Sequence, residues 1–224
     1  MLEFSLALSA FVAAHTLPAA TGLRDWLMGR LGRATYLAAY SALSIALLVW
    51  LIFAAWRAPY VALWDPSPAT AAIPLLAMLP ACLLLAGAAV RPNPLSVSFR
   101  GGEIDPARPG VLAITRHPFL WAFFLWSASH AVANGDVVGT IMFGGFAAFS
   151  MAGMRIVENR ARRRLPPEHW ERAAAIATGP LPERLGRAAS AQTAIELASG
   201  AALYGLMLWV HPVLFGVNPL ALLF

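Results

Sequence analysis

The chain has 224 residues, of which 59% are hydrophobic and 12% are charged, and its mean hydropathy is +0.67. Soluble domains carry about 25% charged residues, so this composition excludes a water-soluble globule. The net charge of +5 lies in the connections between apolar segments, which disfavours a nucleic-acid-binding protein. The single cysteine, Cys82, excludes an internal disulfide.

Six apolar segments follow one another along the chain, each close to the length of about 20 residues that crosses a bilayer. The first lacks the basic start of a secretory signal, so we interpret it as a retained helix. We predict an all-α fold, a polytopic membrane helical bundle with about six transmembrane helices in a single domain over residues 1 to 224. The segments are residues 2 to 23, 35 to 56, 71 to 90, 111 to 134, 137 to 157 and 191 to 216.

The arginines predict the orientation of these helices. All 16 basic residues are arginines, and all except Arg57 lie in the first, third and fifth connections. Because positive residues concentrate on the cytoplasmic side of membrane proteins, we expect these connections in the cytoplasm and both termini outside.

The connections differ in kind. Asn134-Gly135-Asp136 is a tight turn, so we expect the fourth and fifth helices to form an antiparallel hairpin. Residues 91 to 115 are rich in proline and glycine and are interpreted as a non-helical lid or binding loop. The arginine run at 160 to 164 is expected to extend the fifth helix, after which the chain lies along the lipid headgroups.

Two histidines lie well inside apolar segments, where an ionisable group is costly and usually faces the bundle interior. His15 is in the first segment, and either a helix-packing role or a ligand role fits it. His130 is in the fourth segment on a face that also carries Phe123, Trp126, Ser127 and Asn134. Such a face could hold a flat aromatic cofactor, although ordinary helix packing also explains aromatic residues at this spacing.

His117 stands at the start of the fourth helix, where Pro118 suits the first turn. It lies 13 residues before His130, about 1300° of helical rotation, so the two side chains point roughly 140° apart. One metal ion therefore cannot be bound by both. An interfacial role beside Arg116 is the alternative for His117. His211 is expected at the interface and His169 in solvent.

A family resemblance is carried by several motifs that together cover nearly the whole chain. They are Thr115-Arg116-His117-Pro118-Phe119-Leu120-Trp121, then Trp126, His130 and Asn134-Gly135-Asp136, with His15, Asn93-Pro94-Leu95-Ser96, Gly101-Gly102 and the closing segment from His211 to Pro219. This set resembles the NnrU family of bacterial membrane proteins, which also contains the plant zeta-carotene isomerase.

The resemblance implies a haem b site with His15 and His130 as the two axial ligands. A cysteine near the second ligand in the isomerase branch corresponds to Ser127 here, so its redox switch is not implied. We expect Ser127 and Asn134 beside the ligand, Phe123 and Trp126 against the porphyrin, and Arg116 with His117 at the cytoplasmic mouth. The resemblance further implies a role in denitrification, in nitric oxide metabolism or in isomerase-like redox chemistry. It implies a location in the bacterial inner membrane and an apolar small-molecule substrate or a redox partner.

Two other classes stay open. The Arg-His-Pro helix start with a downstream acidic and aromatic stretch also resembles membrane methyltransferases of the isoprenylcysteine type, in which Arg116, His117 and Glu158 would hold S-adenosylmethionine. Against that, Asn159 stands where a second glutamate is usual and Phe119 where a tyrosine is usual. The third class is a structural or assembly subunit without a cofactor.

Overall fold

The computed structural model describes residues 1–221, with the backbone alone at residues 19 and 20. This part of the chain forms helices and no β-strand, which confirms the all-α prediction; residues 222–224 of the expected single domain lie outside it. The helices are α1 (Leu2–Ala20), α2 (Leu23–Leu31), α3 (Arg33–Arg57), α4 (Pro68–Val90), α5 (Val111–Ile114), α6 (Pro118–Asn134), α7 (Val137–Arg164), α8 (Pro167–Ala175), α9 (Leu181–Ala188) and α10 (Ala191–Phe215).

Within the described residues, four helices are long and apolar enough to cross a membrane: α3, α4, α7 and α10. The pair Leu2–Pro18 and Leu23–Leu31 meets the same criterion as one broken span, bent by 76°. Helix α6 has 17 residues and falls just short of it. The helices are therefore those of a membrane-type protein, while six spans and the position of the termini stay predictions.

Two of the predicted apolar segments are interrupted. Segment 2 to 23 is not one helix, because α1 ends at Ala20 and Gly22 adopts a left-handed conformation with φ of 71°. Segment 111 to 134 is divided into α5 and α6. His117 precedes a proline, whose ring disfavours the helical conformation of the residue before it, and His117 has ψ of 54°.

The chain forms two compact units. The first consists of Met1–Leu63 with Asp136–Met142, and in it α1 packs on α3 around the buried Phe4 and Leu51. The second consists of Trp64–Gly135 with the chain from Phe143 onward, and in it α4 packs on both α6 and α10.

Helices α4 and α10 approach closely in the second unit. A Cβ added at Gly200 on α10 would lie 2.7 Å from the Cα of Leu83 on α4, so only glycine permits this approach. Each helix begins at a serine that accepts a hydrogen bond from a backbone N–H in its first turn, Ser67 for α4 and Ser190 for α10.

Helix α6 runs antiparallel to the part of α7 that belongs to the second unit. The ring centroids of Phe123 and Phe146 are 5.7 Å apart, those of Trp126 and Phe143 are 5.3 Å apart, and those of His130 and Phe143 are 5.5 Å apart. Partner numbers fall along α7 as they rise along α6, which confirms the predicted hairpin. Helix α7 continues to Arg164, as the arginine run indicated.

We call one end of the second unit its arginine-rich end, where α4 and α7 finish and α6 and α10 begin. The connection after α4 was predicted to be non-helical over residues 91 to 115. It is non-helical from residue 91 to residue 110, whereas Val111–Ile114 forms the short helix α5, and the non-helical part is held by several contacts. Asn93 donates from Nδ2 to the carbonyl oxygen of Arg116 at 2.9 Å. Leu95 and Ala161 form a buried cluster with Ala173 and Ala174 of α8. This end is therefore a packed cap that fixes the start of α6.

Candidate functional site

The His130 ring has one nitrogen engaged within its own helix. Nδ1 lies 2.7 Å from the carbonyl oxygen of Trp126, four residues earlier. A carbonyl oxygen only accepts hydrogen bonds, so the hydrogen lies on Nδ1, and Nε2 keeps the lone pair that a metal ion requires. The rings of Trp126 and Phe143 lie 5.8 and 5.5 Å from the imidazole, centroid to centroid.

His15, in the first unit, has the same local geometry. Its Nδ1 lies 2.7 Å from the carbonyl oxygen of Phe11, again four residues earlier. The ring of Phe11 is 4.2 Å away and that of Tyr40 is 5.7 Å away in an edge-on arrangement. Both candidate ligands are therefore oriented by the same Nδ1 hydrogen bond, and in a neutral imidazole with this bond Nε2 is the nitrogen that can bind a metal ion.

The other residues expected around a cofactor make contacts of their own. Trp126 stacks on Phe146 with 6.0 Å between the centroids and 22° between the planes, and Phe123 lies beside both rings. Ser127 is fully buried and donates to the carbonyl oxygen of Phe123 at 2.7 Å. Asn134 donates to the carbonyl oxygen of His130, not to its ring. The Trp126 carbonyl therefore orients the His130 imidazole, and the roles of Ser127 and Asn134 toward a cofactor stay predictions.

Arg116, His117 and Glu158 meet at the arginine-rich end. The Arg116 guanidinium donates from Nη1 to Oε1 of Glu158, and Nε2 of His117 lies 3.4 Å from Oε2. The antiparallel register of α6 and α7 explains the meeting, because His117 begins α6 opposite the stretch of α7 that holds Glu158. The family resemblance implied a place for Arg116 at the cytoplasmic mouth of a haem site, and the structure pairs its side chain with a carboxylate of the chain.

Burial of the imidazole lowers the pKa of His117 from its ordinary value of 6.5, and the repulsion of Arg116 acts in the same direction. The hydrogen bond and charge of Glu158 oppose this shift but do not reverse it. The residue is only 7% exposed, and its Nδ1 is buried without a hydrogen-bond partner among the described residues. His117 is therefore neutral near pH 7 and donates its Nε2 hydrogen to Glu158.

A cavity of about 450 Å³ opens beside these three residues. This volume is in the range of small-molecule sites. Both apolar and polar side chains line it. Arg184 of α9 also lines it, and its Nε donates to the carbonyl oxygen of Ala113 at 3.0 Å. The remaining lining residues are Leu84, Ile114, Thr115, Trp121 and Ala177.

A buried ion pair supports the same end and was not predicted from the sequence. Arg91 Nε donates to Oε2 of Glu196 at 2.9 Å, and the two side chains are 10% and 3% exposed. Arg91 also donates to the carbonyl oxygen of Arg108 and to the Thr193 hydroxyl. Glu196 lies in the second turn of α10, within a predicted apolar segment. The available signal was a lone carboxylate in an apolar helix, which requires a partner.

The other two histidines lie elsewhere. The half-buried His169 has its Nδ1 2.9 Å from a carboxylate oxygen of the exposed Glu103. Nδ1 of His211 lies 2.7 Å from the carbonyl oxygen of Val217, and His211 is within electrostatic range of His130. Among the described residues no three His, Cys, Asp or Glu side chains converge as a chelated metal ion would need.

The fold and its sites define a helical protein of the membrane type, with intrahelical histidines and a charged cavity at one end. A family model described as "NnrU protein" matches residues 3–219. The chain belongs to the NnrU family, which confirms the resemblance found in its motifs. No curated protein and no solved structure matches the chain.

Proposed function

We propose that this NnrU-family chain is a multi-pass haem b protein of the bacterial inner membrane, with His15 and His130 as the axial ligands. Its six apolar segments would be six spans. The one-sided distribution of arginines supports a cytoplasmic position for the arginine-rich end and a periplasmic position for both termini.

The observation that carries the haem proposal is the hydrogen-bond geometry that His15 and His130 share. Each hydrogen-bonds through Nδ1 to the carbonyl oxygen four residues earlier at 2.7 Å. Metal-bound histidines usually donate their second ring nitrogen in this way, which fixes the tautomer and orients the ring. The aromatic surface of Phe123 and Trp126 beside His130 suits a porphyrin plane.

Bound haem would supply one-electron redox chemistry, and two histidine ligands favour electron transfer or sensing unless one dissociates. Such chemistry fits a role in denitrification or nitric oxide metabolism, or a redox-dependent isomerisation of an apolar substrate. The chain's own residues would hold the ligands in one tautomer and surround them with aromatic side chains that exclude water.

An absorption spectrum of the detergent-purified protein, oxidised and after dithionite, tests this function. We expect a Soret band with sharp reduced α and β bands and one haem per chain in a pyridine haemochrome assay. His15→Ala and His130→Ala should each lose most of the bound haem, because each removes an axial ligand.

Two further histidine variants complete the test, one as a control and one for an alternative ligand. His169→Ala should leave haem content unchanged, because His169 is half-buried in a connection predicted to be cytoplasmic and is paired with Glu103. His211→Ala tests the histidine within electrostatic range of His130. Equal haem content in all four variants would refute the proposal, and haem loss in His211→Ala with retention in His15→Ala would assign the second ligand to His211.

S-adenosylmethionine-dependent methyl transfer is the second candidate function. It is favoured by the meeting of Arg116, His117 and Glu158 at one cavity. It is opposed by charge. S-adenosylmethionine carries a sulfonium, an ammonium and one carboxylate of its own, so the ligand is positive, and the cavity is also positive. Calorimetric binding of S-adenosylmethionine that Glu158→Gln abolishes, in a protein without haem, would favour it. A cofactor-free structural subunit would show neither ligand.

A further inference from the structure

The cavity at the arginine-rich end has an uncompensated positive charge. Arg116 is neutralised by Glu158, and burial keeps His117 neutral. Arg184 has no carboxylate within ion-pair distance among the described residues. Two arginines against one glutamate therefore leave one positive charge, which favours a ligand with a single negative charge.

The Arg184 guanidinium is already positioned for such a ligand. Its Nε donates to the carbonyl oxygen of Ala113 at 3.0 Å, which fixes the plane of the group. The two terminal amino groups have no protein partner in the described part of the chain. Arginine binds phosphate and carboxylate through two parallel hydrogen bonds from such a fork. A guanidinium fixed at Nε loses less side-chain entropy when it binds an anion.

The cavity is also lined by apolar side chains. Leu84, Ile114 and Trp121 line it, and Thr115 accepts a hydrogen bond from the backbone N–H of His117, so its hydroxyl hydrogen is still available. Leu84 is in the last two turns of α4, one of the helices long enough to span a membrane. The cavity therefore lies near the end of a span, where lipid headgroups are found.

The geometry points to a second ligand site, independent of haem, in which this cavity binds the phosphodiester of an amphiphilic molecule that carries one net negative charge. Arg184 holds the phosphodiester, Thr115 donates to it, and the apolar portion of the ligand lies against Leu84, Ile114 and Trp121. An anionic phospholipid such as phosphatidylglycerol and a soluble phosphodiester share this chemistry.

The test uses the full chain in detergent with short-chain phosphatidylglycerol and short-chain phosphatidylcholine as probes. Phosphatidylglycerol should raise Tm by about 3–6 °C at ten times its Kd, and the shift should grow with the logarithm of its concentration above Kd. Phosphatidylcholine, in which a choline neutralises the phosphate, should have a much smaller effect. Glycerophosphoglycerol, the headgroup alone, separates the two sources: an equal shift assigns a soluble phosphodiester, and a smaller one assigns the lipid.

Variants then locate the site. Arg184→Gln should weaken phosphatidylglycerol binding by about tenfold or more, and Arg184→Lys should weaken it less, because a charge-assisted hydrogen bond is lost or altered. Arg163→Gln removes one positive charge from an exposed position at the same arginine-rich end and should leave the Kd for phosphatidylglycerol unchanged.

Three results would overturn the proposal: equal shifts from phosphatidylglycerol and phosphatidylcholine, equal weakening by Arg163→Gln and Arg184→Gln, or a shift with S-adenosylmethionine and none with phosphatidylglycerol. The haem spectrum of the same samples is expected to be unchanged throughout. A failure of this lipid-site proposal is thus distinguishable from a failure of the haem proposal.

Discussion

Helix α6 begins and ends in two different kinds of environment. At its start, charged side chains from distant parts of the chain meet, with Glu158 between Arg116 and His117. Toward its other end, His130 lies among the rings of Trp126 and Phe143, and among the described residues its ring hydrogen-bonds only to Trp126 and Ser129 of its own helix. Ion pairs fix the backbone at the first region, whereas the second leaves a ring nitrogen available for a ligand.

The largest expected effect at the charged region comes from breaking its buried ion pair. Glu196→Leu leaves the Arg91 charge buried without a carboxylate partner, which should cost about 3–5 kcal/mol of unfolding free energy. The double variant Arg91→Met with Glu196→Leu should recover most of the loss, because no charge is then left buried. Thermal or denaturant unfolding in detergent measures both.

The exposed ion pair between Arg57 and Glu3 provides the control for that change. Glu3→Gln should cost no more than about 1 kcal/mol, because exposed pairs contribute little. A similar loss from Glu196→Leu and Glu3→Gln would show that the Arg91–Glu196 pair does not hold this end together.

Gly110→Ala is expected to have the next largest effect on the free energy of unfolding. Gly110 has φ of 55°, and an added Cβ would collide with the Arg91 guanidinium. We expect a loss of about 1–3 kcal/mol from backbone strain together with displacement of Arg91. Gly101→Ala, in the same connection but with open space around it, should change unfolding by less than about 0.5 kcal/mol. Equal effects of the two substitutions would contradict a fixed connection.

In the aromatic region, Phe143→Leu removes ring contacts with Trp126 and His130. The expected loss is about 1 kcal/mol, because each aromatic pair contributes about 0.5–1.5 kcal/mol beyond its buried area. Phe149→Leu on the same helix is the matched control, since Phe149 is 52% exposed. If Phe149→Leu costs as much, the ring cluster does not stabilise this region specifically.

The smallest expected effect is a change in pH dependence. Because burial lowers the pKa of His117 below 6.5, the unfolded chain takes up the proton first, and stability falls as the pH drops through 6.5. His117→Asn lacks this contribution, so its unfolding free energy should fall less between pH 8 and pH 5. Parallel profiles for the wild type and the variant would contradict a neutral, buried His117.

The sequence predicted the helices well because apolar segments of bilayer length have few other solutions. The hairpin of α6 and α7 was predicted from one tight turn, and the first turn of α6 was predicted from Pro118. The breaks within segments 2 to 23 and 111 to 134 were not predicted. The pairing of Arg91 with Glu196 could not be predicted, since 105 residues separate them and no local pattern specifies which helices touch. The same holds for Arg184, which reaches the cavity through the packing of α9 on α5.

The antiparallel contacts of α6 also limit how the chain tolerates changes in length. The contact of His117 with Glu158 and that of Trp126 with Phe143 lie along the same two helices. Inserting one residue into α6 between them would turn one contact about 100° away from the other. An insertion of seven residues nearly restores the phase but separates the contacts by about 10 Å more. The spacing of residues in α6 is thus as restrictive as their identity.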